Sequence, residues 1–177
     1  LFASMCGRAA IAYAAPDIGR AVRNVGVTLP ASTPPPADYS SGKACKGAKE
    51  GGKLVGTTFP VLQCSGGALT VQTKEWGIRN LSTHNVWCDD DKWLTTKTWK
   101  QCLESGRRCA VCVTAFAEGI TCRQPDDGLF FLAALYVGVG FVILTTDSTR
   151  VPLLAERAQS QAEHGVPTRC PLWMDAA

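Results

Sequence analysis

The chain has 177 residues, a hydrophobic fraction of 46% and a charged fraction of 19%. That balance suits one folded domain spanning residues 1–177 and excludes a disordered acidic or basic tail protein. A net charge of +3 argues against a whole-surface electrostatic grip on nucleic acid and leaves only a local basic cleft. Nine cysteines, an odd number, are too sparse for a secreted disulfide scaffold and point to free thiols in a reducing compartment.

Residues 1–5 (LFASM) are too short for a secretory signal and lack a basic leading region, whereas a removed organellar presequence would leave such a start. Residues 6–13 (CGRAAIAY) read as a buried strand or the turn into one. Pro16-Asp17 opens a helical pattern in which Ile18, Val22 and Val25 share a face. From Leu29 to Gly56 the triple proline, paired glycines and scattered lysines predict a long exposed loop with little to bury, inserted into the domain. Its length makes a docking role the working expectation.

Phe59 to Cys64 is a predicted strand, Gly66-Gly67 a hairpin turn, and Ala68–Trp76 its partner, with Leu69, Val71 and Thr73 in alternation. Lys92 to Ser105 reads as a helix with Trp99, Cys102 and Leu103 on one face and Gly106 as its stop. Cys109 to Phe116 is an apolar strand. A second helix is expected from near Pro152 to Glu163, capped by Ser148 or Thr149 and ended by Gly165.

The run Leu129–Thr146 has no charge over 18 residues and imitates a short membrane span. Gly138-Val139-Gly140 interrupts it, and β-branched and aromatic residues flank the break. Two buried strands, Phe130–Val137 and Phe141–Thr146, are the better reading, with no membrane span. The whole is expected to be an α+β domain around a largely antiparallel sheet or barrel.

Little chemistry is legible from spacing alone. Cys109-Ala-Val-Cys112 lacks a second ligand pair for zinc, and on a strand its thiols point to opposite faces, so no metal is expected. No glycine-rich loop precedes a helix in the manner of a phosphate cradle, and no cofactor is expected. His84, in the polar stretch STHN, and His164, after a helix, each read as surface histidines. Cys6, Asn85, Glu118 and His164 could supply a nucleophile, a fixed hydrogen-bonder and two proton carriers. Composition does not single out this set.

A resemblance does. Met5-Cys6-Gly7-Arg8-Ala9-Ala10-Ile11 is similar to the start of the SOS response-associated peptidase-like (SRAP) family. Trp76-Gly77-Ile78 resembles its Trp-Gly-Leu-Ile-Pro, and Asn85 stands where the family has Asn-Ala-Arg. Arg107-Arg108-Cys109-Ala110-Val111 followed by Phe116-Ala117-Glu118 resembles its Arg-Arg-Cys-Leu-Val to Phe-Tyr-Glu segment. Phe141-Val142-Ile143-Leu144-Thr145-Thr146-Asp147 is similar to Phe-Thr-Ile-Leu-Thr-Thr-Asp, and His164 falls near its His-x-Arg-Met-Pro. The resemblance implies a mostly antiparallel, barrel-like fold with flanking helices. It also implies a chemistry in which an N-terminal cysteine condenses with the aldehyde of an abasic site in single-stranded DNA, forming a thiazolidine. Carried over, Cys6 is the nucleophile, Asn85 holds its amine, Glu118 and His164 move protons, and Arg8 and Trp76 contact DNA.

The chain departs from that pattern at informative places. The ring closes through the α-amine of the same cysteine, and Cys6 follows five residues, so its nitrogen is an amide until they are removed. Val86-Trp87 replace the family's Ala-Arg, and Arg79-Asn80 replace the proline stretch; a lost arginine is a lost phosphate contact. The expectation is therefore a degenerate SRAP-like domain, a non-catalytic structural or binding subunit with other protein subunits as partners. It would sit inside the cell, with the mitochondrial matrix as the organellar candidate. The alternative is an abasic-site cross-linker on single-stranded DNA, or an autopeptidase, using Cys6 after removal of residues 1–5, in the nucleus or cytoplasm.

Overall fold

A computed structural model of the chain describes residues 8–31, 33–39, 45–46, 48–50, 53–55, 57–78, 81, 83–89, 91–118, 120–124, 126, 128–151 and 169–174. Strand β1 (Arg8–Ala10) leads into helix α1 (Ala15–Asn24), which has Pro16 in its first turn and buries Ile18, Ala21 and Val22. Fixed proline φ suits that position, and the buried residues recur at helical spacing. Three short strands follow: β2 (Cys45–Lys46), β3 (Ala48–Glu50) and β4 (Lys53–Val55).

The central hairpin is β5 (Thr58–Ser65) and β6 (Ala68–Trp76), joined by Gly66 and Gly67 at φ +60° and +80°. Two positive φ values in a two-residue turn match the strand twist and select glycine. Strand β7 (Asn85–Trp87) precedes helices α2 (Lys92–Thr95) and α3 (Lys97–Glu104), then β8 (Arg108–Val113), β9 (Ala115–Glu118) and β10 (Ile120–Cys122). The apolar run forms β11 (Phe130–Val137) and β12 (Gly140–Asp147), followed by a 3-10 turn at Ser148–Arg150 and strands β13 (Arg169–Pro171) and β14 (Trp173–Met174). Among the described residues no helix is long and apolar enough to cross a membrane.

The architecture is strand-rich α+β. The large sheet runs β13-β12-β6-β5-β8-β11-β14, with β7 beside β12 and β11 also paired to β12, so it curls into a partial ring. The β6–β12 seam is parallel and only two residue pairs long, Gly140 to Glu75 and Phe141 to Trp76. A Cβ on Gly140 would strike the Gly77 carbonyl, so the close approach at this seam requires glycine. A smaller sheet has the order β10-β9-β1-β2, and β3 pairs with β4.

Strand alternation divides the large sheet. Phe59, Val61, Val111, Leu132, Phe141 and Ile143 are fully buried on the concave face. Leu62, Ala110, Ala133 and Leu135 point the other way. There α3 packs Trp99 and Cys102 against Leu135 and Val142.

Three expectations need correction. The helix over Lys92–Ser105 breaks at Thr96, which is extended at φ −67°, ψ 121°. The hydroxyls of Thr95 and Thr96 both donate to the Lys92 carbonyl and compete with the helical ladder. The strand over Cys109–Phe116 divides at Thr114, whose N–H donates to the Ala10 carbonyl and takes the chain from the large sheet to the small one. The segment from Leu29 to Gly56 is not simply an exposed loop: Leu29 is buried, the Tyr39 hydroxyl donates to the Tyr13 carbonyl at 2.9 Å, and three strands form. Ser148 and Thr149 lie in the 3-10 turn, where the Asp147 carboxylate accepts from the Thr149 N–H. The helix expected over Pro152–Glu163 lies outside the described residues.

Candidate functional site

Segments far apart in sequence meet around Trp76, at the end of β6. Its ring is edge-on to Phe59 at 5.9 Å, tilted against Phe116 at 6.3 Å and edge-on to His84 at 5.7 Å. The indole N–H donates to the His84 carbonyl at 2.8 Å, and the Ile143 N–H donates to the same carbonyl at 3.1 Å. Asn85 opens β7 beside Ile143 of β12, and its carbonyl accepts from the Thr83 hydroxyl at 2.9 Å. Asn85 is half-buried, with its side-chain oxygen shielded from solvent.

Strand β1 reaches the same neighbourhood through β9. Ala9 pairs with Phe116, and the exposed Arg8 pairs with Ala117. The backbone of Glu118 ends β9 two residues beyond Phe116. The structure thus brings the strands bearing Arg8, Trp76, Asn85 and Glu118 to one region. Cys6 and His164 lie outside the described residues, and Glu118 is described in its backbone alone.

Two of the expected roles change. Trp76 is fully buried, so its ring has no face to offer a DNA base; it is a pillar of the core. His84 is half-buried, with both ring nitrogens shielded, because the indole hydrogen bond draws its backbone onto the aromatic cluster.

Burial holds four of the described thiols protonated. Burial pushes Cys88 up to about 11 and Cys109 up to about 12, and raises Cys102 and Cys112 as well. A thiol held protonated is a poor nucleophile. Cys109 and Cys112 lie three positions apart on β8 and face opposite sides of the sheet. Among the described residues no group of three His, Cys, Asp or Glu side chains could hold a metal ion.

Two features escaped the motif reading. Lys74 is buried on the concave face; its ammonium donates to the Gly138 carbonyl at 2.9 Å and lies 4.5 Å from the Tyr136 ring centroid. Burial lowers its pKa, and neighbouring Cys109 partly restores it. Its place in the phase of Gln72 and Trp76 was the available signal for an inward lysine. On the convex face lies an apolar groove of about 620 Å³, walled by Gly26, Val27 and Thr28 on one side and Leu103 on another. Its signal in the sequence is a pair of alanines, Ala110 and Ala133, within otherwise bulky strands.

No known protein family matches the chain, and no curated protein matches it. Among the solved structures similar to it is an X-ray crystal structure of a protein from Bordetella bronchiseptica. The likeness covers 97% of this chain and 84% of that one, with a TM-score of 0.54 and 13% sequence identity. At that identity it shows a shared fold and nothing of activity.

Proposed function

We propose that the chain is a degenerate SRAP-like domain that works as a non-catalytic binding subunit. The family reading is supported by the convergence of its motif segments: Arg8 lies beside Ala117, Trp76 beside Phe141, and Asn85 beside Ile143, although up to 109 positions separate these partners in sequence. The non-catalytic reading draws on Val86-Trp87, which stand where the family has Ala-Arg and so remove a phosphate contact. The full enclosure of Trp76 adds to it, since the ring is spent on packing.

The second reading, an abasic-site cross-linker, draws on the gathering of the Arg8, Asn85 and Glu118 strands in one region. One experiment separates the two. The protein purified from its native cells is sized by mass spectrometry and incubated with single-stranded DNA carrying an abasic site. The binding-subunit reading expects a chain that retains residues ahead of Cys6 and no heat-stable DNA adduct. A mature chain beginning at Cys6, with an adduct abolished by Cys6→Ala, establishes the cross-linker instead.

A further inference from the structure

We infer that the convex groove is a binding site for a single long-chain carboxylate, its tail on the sheet and its head group at Arg108. This inference stands apart from the family reading. The groove's floor is hollow for a definite reason. Leu62, Ala110 and Ala133 are cross-strand neighbours on β5, β8 and β11 and share one face. The two alanines place methyl groups where a packed sheet would carry branched side chains. The rim adds Leu69 and Met174, exposed at 39% and 46%, beyond what a closed core would leave in water. At about 620 Å³ the space falls within the range of sites for one small molecule.

Charge selects the class of ligand. Arg108 lines the groove and is solvent-exposed. One guanidinium N–H donates to the Leu103 carbonyl at 3.2 Å, which anchors the side chain at the rim. The group has no carboxylate partner among the described residues, and its remaining N–H groups are free to donate. Arg107 precedes it and is also exposed, while the nearby Glu104 is matched by Lys100 at 3.9 Å. An apolar trough lined by one anchored guanidinium, without a carboxylate partner among the described residues, complements an apolar chain with one anionic end.

The test titrates the full chain with cis-parinaric acid, followed by fluorescence, and displaces it with palmitate or with hexadecanol. Saturation at one probe per chain is expected, with palmitate competing at least about tenfold better than the uncharged alcohol. Arg108→Glu, on the surface, should fold normally and weaken binding by about tenfold or more. Ala133→Phe should fill the trough and abolish binding; a thermal melt reports whether that variant folds, and Arg108→Glu decides the matter if it does not. Non-saturating uptake, equal competition by hexadecanol or indifference to Arg108→Glu overturns the inference. So does a chain that is dimeric and binds no probe, since a second copy would then cover the groove.

Discussion

The concave and convex faces of one sheet have been put to opposite uses. On the concave face Phe59, Trp76 and Phe141 interlock with Phe116 of the smaller sheet, at centroid separations of 5.9 to 6.4 Å. The residues that carry the family resemblance are part of that lock. On the convex face Ala110 and Ala133 leave a trough, and Arg108, with no carboxylate partner among the described residues, lines it. On the concave face the motif residues serve packing, whereas Arg108 and Ala110 of the Arg107–Val111 segment line the open trough on the other face.

Removing the pillar is the strongest way to break that contrast. Trp76→Ala deletes three ring contacts and the hydrogen bond to the His84 carbonyl. A loss of about 3–5 kcal/mol in urea denaturation is expected, enough to unfold a marginal domain. Leu69→Ala on the groove rim should change stability by no more than about 0.5 kcal/mol. Comparable losses at the two positions would show that the faces do not differ as described.

Gly140→Ala should come next. The new methyl group meets the Gly77 carbonyl, and the two-pair seam between β6 and β12 has no slack to absorb it. We expect a loss of about 2 kcal/mol by the same measurement. Ala133→Gly on the convex face should cost less, because that side chain closes no seam.

The division between faces also explains what was legible. Strands β5, β6, β11 and β12 follow from local signals: alternation, two glycines at positive φ, and a glycine-bounded turn in an apolar run. Helix α1 follows from Pro16 and the spacing of Ile18 and Val22. The divided strand at Thr114 depends on a carbonyl 104 residues away, and the anchoring of Tyr39 on one 26 residues away. Nothing within a local window encodes such partners. Trp76 and Asn85 were legible as members of a pattern, but the burial of Trp76 was not, because it depends on Phe59, Phe116 and His84 arriving from three other segments. The groove was missed since alanine in a strand draws no notice until its neighbours across the sheet prove to be alanine as well.

A smaller effect should appear where β12 leaves the sheet. The Asp89 carboxylate accepts from the Thr146 hydroxyl at 2.6 Å and the Asp147 N–H at 3.0 Å, with Arg150 at 3.7 Å. Its side chain is only 10% exposed, so the donors lose a partner that water replaces poorly. Asp89→Ala is expected to cost about 1–2 kcal/mol. Arg150→Ala should cost less, since its side chain is 63% exposed and that half of the pair is screened.

The smallest expected effect is alkaline, and its sign tests which side of the sheet is dry. Cys109 and Cys88 have folded-state values of about 12 and about 11, above the 9.0 of an ordinary thiol. Above pH 9 the unfolded chain therefore sheds protons that the folded chain keeps, and stability falls with rising pH until the folded values are passed. Lys74 opposes this, because burial lowers its folded value and the folded chain releases that proton first. The thiols outnumber it, so a net decline is expected from pH 9 to 10, smaller than about 1.4 kcal/mol per thiol. Cys109→Ala should flatten the decline in a series of urea melts, because Cys109 is packed against the concave interior.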